Sequence, residues 1–99
     1  MEEDYKTHDE YLRELPDWIV EKSVEYLKSI FTETTKNDIF MYHRRDPKTW
    51  WASSHFGWGM RIRNLLRDNV CTDEKLPSGN WDDYYIQVVE IACGLRERQ

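Results

Sequence analysis

Apolar side chains recur along this chain at steps of three and four rather than two, a period that predicts helices. The clearest run is Val20, Val24, Leu27 and Phe31, with Ile19, Ser23 and Ile30 beside it. Glu21, Lys22, Glu25 and Lys28 fall on the opposite side as a solvated face. Upstream, Thr7 and Glu10 have the spacing of a capping box, which predicts a short helix from about His8 to Leu15. Pro16 interrupts it. The fixed φ of proline suits a first helical turn, so the second helix is expected to open there, with Asp17 and Glu21 at its positive end.

Residues 32–38 are polar and β-branched and predict a loop. Residues 39–42 have no second alternating segment to pair with, so a buried turn or short helix is expected there rather than a strand. Asp46-Pro47 reads as an N-cap followed by proline at the first helical position, predicting another helix. On it, Trp51, His55, Trp58, Ile62 and Leu65 make one stripe that should meet the second helix. Gly57 and Gly59 each cost about 1 kcal/mol relative to alanine in a helix interior. They either break the helix or admit close packing, and the sequence leaves both open. Residues 68–80, with Pro77, Ser78 and Gly79, form a polar connection. Asn80 with Asp83 then caps a last helix with two apolar rows, Trp81, Tyr85, Val88, Ala92 and Tyr84, Val88, Ile91, Leu95, that Gly94 is placed to end. The expected fold class is all-α: a compact irregular bundle of about four helices, the first short, forming a single helical domain over residues 1–99. Its core is expected around Trp51, Trp58, Ile62, Trp81, Tyr85 and the Val20 to Phe31 stripe.

Composition narrows the function classes. Aromatic residues make up 14% of the 99, so a few large side chains must supply much of the burial. The formal charge of -5 argues against wholesale nucleic-acid binding, but an average hides local patches. Residues 1–42 carry five Lys/Arg against eleven Asp/Glu, residues 43–67 six against one, and residues 68–99 three against seven. Cys71 and Cys93 form no CxxC pair and the three histidines lack ligand spacing, so no metal site and no cofactor motif is expected. Sparse cysteines and an acidic start point to a cytoplasmic protein with reduced thiols. The longest purely apolar run is residues 39–42, far short of the ~20 needed to cross a bilayer, so no membrane partner is expected.

His55-Phe56-Gly57-Trp58-Gly59-Met60-Arg61-Ile62-Arg63-Asn64, followed by Asn80-Trp81-Asp82-Asp83, resembles a family of small bacterial and phage proteins. The core of that family reads His-Phe-Gly-x-Gly-x-x-Ile-Arg-Asn and then an acidic pair. The resemblance covers residues 50–95 and implies bacterial or phage origin. It carries no known activity. It also makes Asp82 and Asp83 the partners to expect for Arg63, whose planar guanidinium can bridge carboxylates, with Asn64 beside it, as a structural clamp between the last two helices.

Three functions stay in play. A non-catalytic protein-interaction module or inhibitor is favoured by the surplus of aromatics, since some of Tyr5, Tyr11, Trp18, Tyr42 and Trp50 should stay on the surface, and by acidic helices that could mimic or meet a basic partner. Nucleic-acid binding would use Arg44, Arg45, Lys48, Trp50, Arg61, Arg63 and Arg67, a mixture of cations and stacking faces suited to single strands. Against it, Arg61 and Arg63 point to different sides of a helix and acidic segments flank both ends. A small polar ligand site would need Arg63 and His55 to converge on a pocket. No enzyme is expected: His55 on an apolar stripe is read as packing, Cys71 lacks positive surroundings, and adjacent Asp82 and Asp83 diverge by ~100° on a helix.

Overall fold

A computed structural model describes residues 6–52 and 56–97, with the side chains of Phe56 and Gly57 outside that description. The chain begins where its capping box sets it. Thr7 Oγ1 accepts from the Glu10 N–H at 3.1 Å, Glu10 Oε1 accepts from the Thr7 N–H at 2.8 Å, and α1 runs His8–Glu14. Pro16 stands at the N-cap of α2 (Asp17–Ile30), one position earlier than expected, and its carbonyl accepts from Ile19 and Val20. Ile19, Val20, Ser23 and Leu27 are buried and Phe31 closes the stripe, while Glu21, Lys22, Glu25 and Lys28 are exposed.

The loop expected at residues 32–38 is instead helix. Thr32 caps it through Thr35 (3.1 Å), Glu33 and Lys36 form an ion pair at 3.7 Å, and α3 (Glu33–Arg45) takes in residues 39–42 as well. It was hidden because Ile39 is the only residue it buries, so no apolar period shows through. The helix expected from Asp46-Pro47 is also corrected. Asp46 does cap, accepting from the Thr49 N–H at 3.3 Å and from its hydroxyl, but what it caps is a run of turns over residues 47–52. That run leaves Trp51 off the next helix, α4 (Phe56–Asn69). His55 lies outside the described residues.

In α4 the buried row is Gly59, Ile62 and Leu66, continued by Val70, with Trp58 and Leu65 on its shoulder. This row packs on the last helix more than on α2, which it meets through Trp58 stacked on Phe31 (centroids 6.5 Å) and Asn69 hydrogen-bonded to Tyr26 (3.0 Å). Gly59 resolves one open question: a Cβ there would stand 2.7 Å from the Tyr85 hydroxyl, so the glycine admits close packing inside an unbroken helix. After two 3-10 turns, Asp73–Lys75 and Trp81–Asp83, α5 (Tyr85–Ala92) runs through the centre. Gly94 ends it at φ +77 with the paired bonds of a Schellman motif, Leu95 N to Glu90 O and Gly94 N to Ile91 O.

Tyr85, Ile86, Gln87, Val88, Val89, Glu90 and Ala92 are all buried, so α5 is the axis of the core, and α1, α2, α4 and the Trp81–Asp83 turn pack around it. The described residues hold five α-helices and no strand, with a radius of gyration of 13.1 Å against the ~13 Å of a compact 100-residue domain. The all-α compact bundle is thus observed, with α3, expected at most as a short helix at residues 39–42, as the extended member. No helix among the described residues is long and apolar enough to cross a membrane.

Candidate functional site: the basic turn and the outer face of α3

The buried floor of this region is polar. Trp50, a candidate interaction residue by sequence, is instead 1% exposed, and its indole N–H donates to Glu90 Oε2 at 2.8 Å. Glu90, itself buried in α5, accepts from Arg96 Nε on its other oxygen at 2.7 Å, and Arg96 reaches on to Asp9. A carboxylate this deep needs both bonds, because a buried charge without partners costs several kcal/mol. His8 sits at the edge with its ring 5.8 Å from that of Trp51, and burial pushes its imidazole below the ordinary value, with Arg96 acting in the same direction. Gln87 is satisfied by the carbonyls of His8 (3.3 Å) and Asp83 (2.8 Å). This network was missed in the sequence, although a lone glutamate inside an apolar helix is its one visible signal.

Arg63 meets Asp82, not Asp83: Nε to Oδ1 is 2.7 Å, and the guanidinium lies 5.1 Å from the centre of the Tyr85 ring. Asp83 instead accepts from the Ser78 hydroxyl (2.6 Å), and Asn64 accepts from Arg67 (2.6 Å), whose Nε also pairs with Asp73 at 2.9 Å. Arg63 is therefore part of a joint between α4 and the turn before α5. Burial raises the Tyr85 phenol above its ordinary value, and Arg63 offsets part of this.

The remaining basic residues behave differently. Arg44, Arg45, Lys48 and Arg61 are exposed and have no ion pair among the described residues. Arg44 and Arg45 follow Phe40 and Met41 on α3 at helical spacing, so the four share the outer face, opposite Ile39. Phe40 is 37% and Met41 50% exposed, two neighbouring apolar side chains on the same face as these cations. Trp18 (49%) is the other large exposed aromatic among the described residues.

No protein-family model, curated protein or solved structure matches this chain.

The described residues contain no group of His, Cys, Asp and Glu able to hold a metal. Both cysteines are free thiols. Burial raises Cys71 and pushes Cys93 up to about 11, which leaves neither as a ready thiolate at neutral pH.

Proposed function

We propose that the chain is a non-catalytic protein-interaction module or small inhibitor, of bacterial or phage origin and acting in the cytoplasm. Its outer α3 face takes an acidic, apolar-bearing segment of a partner protein. The observation that carries this is the grouping of Phe40 and Met41 on one helix face with Arg44 and Arg45, which form no ion pair among the described residues. Apolar anchors supply affinity at the centre of an interface, and the cations select an acidic partner and speed its approach.

The test is an affinity capture from the native host with the intact chain beside the variant F40S/M41S/R44E/R45E. The expected result is a partner held by the intact chain, released by salt, and lost by a variant whose circular dichroism and melting are unchanged. Equal recovery by both proteins would remove the reading. Light scattering of the free chain distinguishes a second copy of itself from a foreign partner.

The free cations also favour a second reading, contact with nucleic-acid phosphates through residues 43–67. Its stacking faces are partly taken: Trp50 is buried, Trp58 is packed against Phe31 and Trp50, and Trp51 is half-buried with its ring 5.8 Å from that of His8. A mobility assay at low ionic strength showing no shift would end it.

A further inference from the structure

Two contacts cross the cleft between the C-terminal part of α2 and α4: Phe31 stacks on Trp58, and Tyr26 accepts from Asn69. Between these crossings the helices part to leave a groove of about 440 Å³. Phe31 and Ile62 are its buried floor. Ile30, 37% exposed, and Leu65, half-buried, are apolar walls that a guest can reach. Thr32 and Thr35 line the Phe31 end, where α3 begins. Arg61 stands one turn before Leu65 on α4 and is the only charged lining residue among the described residues. It is exposed and forms no ion pair among them.

The threonine pair adds a hydrogen-bond donor. Thr32 Oγ1 accepts from the Thr35 N–H at 3.1 Å and lies 3.0 Å from Thr35 Oγ1. Two hydroxyls share that one contact, so whichever of them donates, the other keeps its hydrogen for a guest. We propose that this groove binds a free aliphatic monocarboxylate, with the carboxylate held by Arg61 and the threonine pair and the chain laid along Ile30 and Leu65. A guanidinium matches a carboxylate in planar geometry, and the apolar walls shed water when a chain covers them. The alternatives fit worse. A cationic guest meets Arg61. A neutral apolar guest strips water from that guanidinium without replacing it. A phosphate headgroup brings nearly two negative charges to a single cation. A protein segment is too large an occupant: nine residues line the groove, against the ~20–30 a side of a stable protein interface, while its volume falls within the ~300–1,000 Å³ of small-molecule sites.

Titration calorimetry and tryptophan fluorescence on the full chain would compare octanoate, octan-1-ol and octylammonium. Octanoate is expected to bind once per chain and about tenfold more tightly than the alcohol, with octylammonium the weakest. Arg61→Gln should bring octanoate down to the level of the alcohol, and Ile30→Ser should weaken both at least about threefold, with native circular dichroism in each variant. Hexanoate should bind at least about threefold more weakly than octanoate, since each methylene contributes about fourfold when fully buried. Octanoate binding no more tightly than octan-1-ol, or unchanged by Arg61→Gln, or not at all, would overturn the proposal. So would a dimer in light scattering that Ile30→Ser dissolves, because the groove would then belong to a second copy of the chain. The outer-face variant F40S/M41S/R44E/R45E is expected to bind octanoate normally, so this site and the protein-docking reading fail separately.

Discussion

Helices α3 and α5 differ most in what they bury. The eight residues of α5 are nearly all inside, including Gln87 and Glu90, and each buried polar group there has named partners from other elements. The thirteen residues of α3 bury Ile39 alone, turn Phe40 and Met41 outward, and leave Arg44 and Arg45 without an ion pair among the described residues. A central helix draws its stability from packing and must satisfy every polar atom it takes inside. A peripheral helix held by one anchor and its cap keeps its surface available for other molecules. In this molecule the stabilising polar network and the candidate binding surface therefore fall on different helices, and buried Trp50 belongs to the network, as a donor to Glu90.

Glu90→Leu should have the largest effect, since it strands the Trp50 N–H and removes one partner of Arg96. A loss of ~3 kcal/mol in urea unfolding is expected, at the low end for a broken buried pair because Arg96 keeps some water. A change below about 0.5 kcal/mol would show that α5 does not depend on its network. Gly59→Ala is next. Helix propensity alone predicts a gain of about 1 kcal/mol, whereas the approach of the Tyr85 hydroxyl turns this into a loss of roughly 1–2 kcal/mol. Adding Tyr85→Phe should recover most of it, since the next ring atom stands at 3.4 Å; without recovery, the contact is not the cause. Asp82→Asn should cost under about 1 kcal/mol, and less in high salt, because Asp82 is half-exposed although Arg63 is held at 2.7 Å. The smallest effect belongs to α3: F40S/M41S should shift stability by no more than about 0.5 kcal/mol. A larger drop would mean that its outer face belongs to the fold, and the contrast between the helices would fail.

Legibility followed the same division. Thr7 with Glu10, the Val20 to Phe31 stripe and Gly94 were readable because caps and amphipathic periods are local, acting within a few residues. The Asp46-Pro47 signal was real but short-range: Asp46 caps a turn, and nothing within reach of it tells whether the turn continues as helix. Trp50 read as an interaction candidate and is buried instead, because its partner lies forty positions away. The Arg63 clamp closed on Asp82 while Asp83 turned to Ser78, a choice between neighbours that only the geometry of the Trp81–Asp83 turn makes.

By itself, then, the order of residues determined that this chain coils into helices, where most of them start and stop, and which segment concentrates positive charge. Those are properties of three- and four-residue spacings and of composition. Which helix became the axis, which tryptophan went inside, and which cations were left without a carboxylate were decided only when distant segments met. Burial and pairing depend on the neighbours that three-dimensional packing supplies, and no local spacing encodes those neighbours.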